Sequence, residues 1–388
     1  VPDVTEQSGG GTPRADRLKR IVLSGGGTAG HVMPALSVAQ ALLALEPGVE
    51  LLYIGTAGGL EADLVPRAGI PFASIDVSPL SGRSGARALA TGWRAALAVR
   101  SAARIIREFG PHAALGTGGY VAGPAIAAAW TTGVPAAIHE QNLRPGITNR
   151  WLARLAREIY VSFAASAAHF PGGGHKAVFT GYPVRQAIID AERGPAAASL
   201  GLAPDRPTLL ITSGSLGARR INDAVCTGLP MLAGRVPGLQ VVVSTGADYF
   251  AGVRSALSSA GLLRPDAAPK VLVFPFIHQM EQAYAAADLV LCRAGGSIHE
   301  VLARGLPAIL VPSPNVAYDQ QTQNSRMLAA AGAAEVIDDA GLNGVTLAES
   351  VARLFTQTGK LSSMRSAAAG AGRPHAARDI AARLLSLS

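Results

Sequence analysis

The stretch Ile21-Val22-Leu23-Ser24-Gly25-Gly26-Gly27-Thr28-Ala29-Gly30-His31 decides the fold class. A short apolar run meets a glycine-rich turn, and a histidine stands just past it. Apolar and helix-favouring residues follow, among them Ala35, Leu36, Val38, Ala39 and Leu42. The order reads as strand, tight turn, helix, with glycines that let the backbone approach a phosphate-like group. Open parallel sheets bind ligands at the carboxyl ends of their strands, which puts His31 at the mouth of such a site. The segment predicts an anion site and a general base side by side.

Gly25, Gly27 and Gly30 also satisfy the dinucleotide fingerprint, and Glu50 lies about 20 residues on. Placement excludes that reading. The ribose-binding acid belongs at the end of the second strand, whereas Glu50 precedes the apolar run Leu51-Leu52-Tyr53-Ile54. That strand ends in Gly55-Thr56, which has no carboxylate.

Strand-like runs alternate with alanine-rich helical stretches along the chain. One series comprises Arg20–Ser24, Glu50–Gly55, Ala113–Thr117, Ala136–His139, Glu158–Ser162 and Ala177–Thr180. A second comprises Thr208–Thr212, Leu239–Ser244, Val271–Phe274, Leu289–Cys292, Ala308–Val311 and Ala334–Ile337. The alternation predicts an α/β protein with two Rossmann-like, doubly wound parallel sheets. The joint is expected near Gly181-Tyr182-Pro183, where Gly and Pro interrupt the pattern. The expected division is a disordered tail at 1–18, an N-terminal domain at 19–183 and a C-terminal domain at 184–372. A terminal helix at 373–388 is expected to pack back on the first domain. Leu209–Arg220 repeats the strand, glycine turn and helix of the opening motif, so two phosphate-type turns are expected to face one cleft.

At 388 residues and 49% hydrophobic content the chain can build two ordinary cores. It has no run of about 18 apolar residues that would read as a membrane span. The opening residues lack the basic flank and apolar centre of a signal peptide. Two cysteines, Cys226 and Cys292, imply a reducing, cytoplasmic setting. The formal charge of +8 is compatible with nucleic acid, an anionic membrane or phosphorylated substrates. Between Arg83 and Arg107 lie Arg87, Arg94, Arg100 and Arg104 with no acid. Leu89, Trp93 and Leu97 share one face at i,i+4 spacing. This basic amphipathic segment predicts a membrane-surface contact, with an ordinary surface helix as the alternative. Nucleic acid is not expected: aromatics are only 5%, and no recognition motif is present.

Further constellations sit at strand ends. Gly116-Thr117-Gly118-Gly119-Tyr120 is a second glycine turn, and with Gly26 and Gly27 it is expected to line the cleft with N–H donors for a diphosphate. His139-Glu140-Gln141-Asn142 places four hydrogen-bonding side chains in a row. Glu300, in the first turn of a helix after Cys292, suits a ribose diol; the plainer reading is an acid complementing the helix dipole. Asp319-Gln320-Gln321-Thr322-Gln323-Asn324 is dense in neutral amides, which suit sugar hydroxyls, or is a helix start capped by Asp319. No Asp-x-Asp pair and no zinc-spaced Cys/His set occurs. A metal-independent site without a cofactor is therefore expected, with helix N-termini and Arg185 or Arg293 facing the leaving diphosphate.

Taken in order, these motifs resemble the MurG family of undecaprenyldiphospho-muramoylpentapeptide β-N-acetylglucosaminyltransferases. The likeness runs from about Arg20 to the C-terminus. It rests on Gly25–Ala35, Gly59-Leu60-Glu61-Ala62-Asp63-Leu64-Val65-Pro66, Gly118–Pro124, His139–Asn142 and Pro183-Val184-Arg185. The resemblance implies a GT-B fold with an interdomain cleft and a C-terminal domain that binds UDP-N-acetylglucosamine. It implies an N-terminal domain that meets lipid I at the cytoplasmic face of the membrane, as a peripheral protein. Transfer would invert the anomeric centre and give lipid II. His31 falls at the family's proposed general base. Thr28, Ala29 and Gly30 fall at the turn facing donor sugar or acceptor diphosphate. Asn142 falls at a contact to N-acetylglucosamine, Arg185 and Ser215 near the donor diphosphate, and Ile277 where backbone reads uracil. Glu300 falls at the ribose-binding acid, and Gln320 and Gln321 at the amides that hold the sugar hydroxyls.

The chain departs from the family pattern on the donor side. Leu216 stands in place of a glutamine, Tyr182 in place of the asparagine before Pro183, and Gln320 where histidine is frequent. The turn after Arg293 is one residue shorter than usual. These changes leave open a paralogue that glycosylates another lipid-phosphate or natural-product acceptor. A non-catalytic sugar-nucleotide or membrane-surface binding protein is the reading from a different class.

Overall fold

The computed structural model describes residues 18–77, 86–214, 216–316 and 319–387, without the side chains of 86–92 and 173. Apart from Leu18, the expected tail at 1–18 lies outside the described residues. So do Arg83 and the side chains of Arg87 and Leu89 in the basic segment.

Seven parallel strands form the first sheet: β1 (Arg20–Ser24), β2 (Glu50–Gly55), β3 (Phe72–Ser74), β4 (Ala113–Gly116), β5 (Ala136–Glu140), β6 (Glu158–Val161) and β7 (Ala177–Phe179). Their order is β3-β2-β1-β4-β5-β6-β7. The second sheet has six: β8 (Thr208–Thr212), β9 (Gln240–Ser244), β10 (Lys270–Phe274), β11 (Leu289–Cys292), β12 (Ala308–Leu310) and β13 (Ala334–Val336), ordered β10-β9-β8-β11-β12-β13. This is the GT-B architecture, two doubly wound parallel sheets.

The strands are apolar along their length because both faces are covered by helices. Ile21 and Leu23 enter one core with Leu42 and Tyr53, while Val22 between them enters the opposite core with Ile54 and Ile126. The second sheet repeats this, with Leu209 and Ile211 on one side and Leu210 on the other. Twelve of the thirteen strands coincide with the expected runs to within a residue at either end. The exception, β3, is a three-residue edge strand with partly exposed residues after Pro71, too short to show an apolar period.

Register places the site. β1 pairs with β4 so that Ser24 lies opposite Gly116, and β8 pairs with β11 so that Thr212 lies opposite Cys292. Each pair flanks the point where its sheet reverses direction of winding, where the turns that follow splay apart and open a crevice.

The terminal helix Ala376–Leu387 returns to the first sheet. Ile380, Ala381 and Leu384 are fully buried in the same core as Ile21 and Leu23. Arg383 clamps Glu158 of β6 with two bonds of 2.9 and 2.8 Å, which hold the carboxyl of Glu158 below the usual carboxylate range. In the helix Ala86–Phe109, Trp93 and Leu97 stand 69% and 48% exposed. No described helix is long and apolar enough to cross a membrane. Cys292 is buried in β11 and Cys226 half-buried; both are free thiols.

Candidate active site

A cavity of about 1200 Å³ opens between the carboxyl ends of the two sheets. Of the residues singled out from sequence, Ala29, Gly30, Leu216, Ile277, Arg293, Glu300 and Gln321 line it, and Tyr182 contributes from the crossover between sheets. His31 and Thr28 stand immediately beside that wall rather than in it.

The helix Ala29–Leu45 carries Pro34 in its second turn. Proline has no N–H, so the Gly30 carbonyl loses its helical partner. The Tyr182 hydroxyl supplies one instead, donating to the Gly30 carbonyl at 3.3 Å. Tyr182 also stacks on His299 at 4.4 Å between ring centres and meets His139 edge-on at 5.7 Å.

His31 is held on three sides. Its Nδ1 lies 3.0 Å from the Thr28 hydroxyl and its Nε2 3.1 Å from the Gln141 side-chain nitrogen. The Thr117 hydroxyl donates to the His31 carbonyl at 2.6 Å, stapling the first turn to the second. Gly118 has φ 108°, and a Cβ there would lie 2.6 Å from the imidazole Cδ2, so the ring rests directly on backbone. Burial lowers the pKa of His31 below the ordinary 6.5, opposed by a hydrogen bond to the Gly26 carbonyl. The ring is therefore neutral at pH 7 and able to accept a proton.

The two glycine turns close on each other, which corrects the expectation of a row of free N–H donors. Gly26 N–H donates to the Gly118 carbonyl at 3.4 Å, and Gly27 N–H points at the Glu61 carboxyl at 3.4 Å. A Cβ on Gly119 would stand 2.1 Å from the Gly26 carbonyl oxygen, so this close nesting needs glycine. Gly26 and Gly27 thus serve loop shape. The N-termini of the helices Ala29–Leu45 and Gly119–Thr131, with Tyr120 in the latter's first turn, carry no side-chain cap. Glu61, fully buried beneath the loop, accepts from Thr56 N–H at 3.1 Å and from its hydroxyl at 2.7 Å.

The run 139–142 divides its labour. His139 Nε2 lies 3.3 Å from the Gly181 carbonyl, so that nitrogen carries the proton, and burial pushes the pKa to about 4. Glu140 accepts from Asn142 N–H (2.9 Å), Gly146 N–H (3.1 Å) and the Asn149 amide (2.9 Å), while burial still raises its pKa. The Asn142 side chain also turns to Glu140, at 3.2 Å, and is not in the cavity wall. Gln141 faces His31.

At the second sheet, burial raises the pKa of Glu300, while the Arg185 guanidinium and a hydrogen bond from Tyr284 pull it back. Arg185 pairs with Glu281 at 3.3 Å and stands behind Glu300 rather than in the lining. Arg293 stands in the cavity lining. One terminal nitrogen is engaged by Asp339 at 2.6 Å and by the carbonyls of Val311 and Pro312 at 3.1 and 3.4 Å. Gln321 accepts from Ser313 N–H at 2.8 Å, which leaves its amide nitrogen for a ligand. Gln320 follows Asp319 at the start of the helix Gln320–Ala330, outside the lining. Asp319 makes no side-chain cap and adopts φ 52°. Leu216 is 85% exposed at the cavity edge, and Ser215 lies outside the described residues.

Sequence reading quoted Glu61, Gln141 and Tyr182 within motifs but gave them no role. An acid two residues past Gly58-Gly59, and an amide two residues past His139 at a strand end, were the available signals.

Residues 21–161 match the glycosyltransferase family 28 N-terminal domain, and residues 208–384 its C-terminal domain. A UDP-N-acetylglucosamine–N-acetylmuramyl-(pentapeptide) pyrophosphoryl-undecaprenol N-acetylglucosamine transferase of Moorella thermoacetica is 44% identical over 93% of this chain and 97% of that protein. The Bacillus subtilis protein of the same name is 38% identical over 95% and 98%. The crystal structure of Acinetobacter baumannii MurG superposes with a TM-score of 0.74 at 29% identity, covering 95% of this chain and 99% of that one. The chain belongs to glycosyltransferase family 28 and, within it, to the MurG family of N-acetylglucosamine transferases.

Proposed function

We propose that this transferase moves N-acetylglucosamine from UDP-N-acetylglucosamine to the 4-hydroxyl of the muramoyl sugar of lipid I, giving lipid II with inversion, and that His31 is the base. The hydroxyl oxygen attacks C1 of the donor sugar, His31 takes the hydroxyl proton, and the C1–O bond breaks to release UDP. Glu300 holds the ribose diol, the Ile277 backbone the uracil, and Gln321 and Gln320 the sugar hydroxyls. Charge developing on the diphosphate meets the N–H groups of Thr28–Gly30 and Gly118–Tyr120 and the Ser215 turn, with Arg185 acting from behind Glu300. Asn142 reaches the sugar only by leaving Glu140.

The observation that carries this reading is the shared cavity wall: Gly30, next to His31, and Glu300 face one space from opposite sheets. The boundary is placed at 183/184, with residues 373–388 serving the N-terminal side. The helix bearing Trp93 and Leu97 rests on the anionic cytoplasmic surface, which delivers the lipid acceptor.

The test is lipid II formation from a lipid I analogue with UDP-N-acetylglucosamine, UDP-glucose and UDP-N-acetylgalactosamine, in chelator without added metal. Product from the first donor only is expected. His31→Ala should lower turnover by about 10²–10⁴-fold with UDP binding intact; near-normal turnover removes His31 from the mechanism. Product from another donor would favour a divergent paralogue, the reading prompted by Leu216 at the cavity edge.

A further inference from the structure

We propose that Gln141 is a positioning residue that fixes His31 as its Nδ1–H tautomer and covers the basic Nε2 until an acceptor hydroxyl displaces the amide. This rests on His31 acting as the base.

The direction of each bond follows from what each group can do. The Gln141 side-chain nitrogen, 3.1 Å from His31 Nε2, can only donate. Nε2 must then be the accepting nitrogen, and the one proton of the neutral ring sits on Nδ1. The Thr28 hydroxyl lies 3.0 Å from that nitrogen, and the Gly26 carbonyl is a second acceptor open to the ring's one N–H. The opposite tautomer would present an N–H to the incoming hydroxyl and could take no proton from it.

The amide is held lightly where it must move and firmly where it must not. Its oxygen is buried without a hydrogen-bond partner and faces Gly30, so the bond to His31 is what orients the amide plane. The Gln141 main chain, by contrast, is anchored from the other sheet. The His299 imidazole donates to the Gln141 carbonyl, and the same ring stacks on Tyr182. His299 adjoins Glu300 in the helix Ser297–Ala303. One residue therefore ties the donor-binding helix to the base, through its backbone on one side and its amide on the other. The position and tautomer of His31 are set relative to the donor, and an arriving hydroxyl has a single weakly held group to displace.

The experiment compares Gln141→Leu and Gln141→Glu with the unaltered enzyme and with His31→Ala. Turnover, donor KM, UDP binding and imidazole ¹⁵N spectra are read on each, the His31 signal being assigned from its loss in His31→Ala. For Gln141→Leu, kcat should fall roughly 10-fold or more, part of the about 10²–10⁴-fold available to the base. Donor KM and UDP binding should stay unchanged, and the His31 signals should move from Nδ1–H toward a tautomer mixture. Gln141→Glu keeps size and polarity but sets a carboxylate against Nε2, which favours the protonated ring. The acid limb of kcat/KM, below pH 6.5 in the unaltered enzyme, should then move to higher pH. An unshifted tautomer signal in Gln141→Leu together with an unshifted acid limb in Gln141→Glu overturns the proposal. Full turnover by His31→Ala overturns instead the reading on which it rests.

Discussion

Replacing Glu61 by alanine tests how the turn before His31 keeps its shape. Glu61 is fully buried, and the Cβ atoms that Gly26 and Gly59 lack would stand 2.5 and 2.3 Å from its carboxyl oxygens. It accepts from Thr56 N–H, the Thr56 hydroxyl and, more distantly, Gly27 N–H. The hydroxyl can turn elsewhere, but the two backbone donors cannot, and each buried donor left unmatched costs about 1–3 kcal/mol. Two such donors and the lost packing of the side-chain stem give an expected loss on the order of 3–7 kcal/mol, or a fall in melting temperature of roughly 6–28 °C for a domain of this size. Gly27 immediately precedes Thr28–His31, so kcat should fall while UDP binding at the other sheet is retained. Thermal unfolding, amide exchange over 25–31 and turnover together are the assay. If Glu61→Ala melts as the unaltered protein does and keeps its kcat, the carboxyl does not brace the turn and the reasoning fails.

Two further outcomes follow from packing. Ile380 is fully buried in the core of the first sheet, so Ile380→Ala should destabilise by about 2–5 kcal/mol in denaturant unfolding; a change under about 1 kcal/mol would show that the terminal helix is dispensable there. Binding to vesicles should rise with anionic lipid, weaken with salt and drop when exposed Trp93 and Leu97 are both replaced by serine. Binding indifferent to all three would discard the membrane contact.

The fold was legible because most strands are buried on both faces and so read as apolar runs, several of them closed by glycine. The edge strand Phe72–Ser74 was not, since a short half-exposed strand carries no such pattern. At the site, residue type alone pointed to the turn with His31 and to Glu300, yet it assigned free N–H donors to Gly26 and Gly27. Those donors are engaged by Gly118 and Glu61, partners 92 and 34 residues away in sequence. The anchoring of Arg293 was hidden in the same way: Asp339, far along the chain, holds one nitrogen of this cavity-lining guanidinium. Sequence shows which groups are present at strand ends and not which of them have already found each other.

The crossing at Tyr182 shows how such hidden pairings join the two halves. Pro34 removes one helical hydrogen bond and leaves the Gly30 carbonyl bare one residue before the base. An ordinary residue at position 34 would donate to that carbonyl within its own helix and compete with the Tyr182 hydroxyl for it. The proline thus turns an internal bond into one that reaches the segment between the sheets, at 3.3 Å. Tyr182 stacks on His299, and His299 holds the Gln141 carbonyl. A closed circuit results: Gly30 to Tyr182, to His299, to Gln141, to His31, and back to Gly30 along the chain. Three of its five residues belong to the first sheet's side, one to the second and one to the joint. His31 and the helix Ser297–Ala303 therefore cannot shift independently without breaking a hydrogen bond or a ring stack in the circuit.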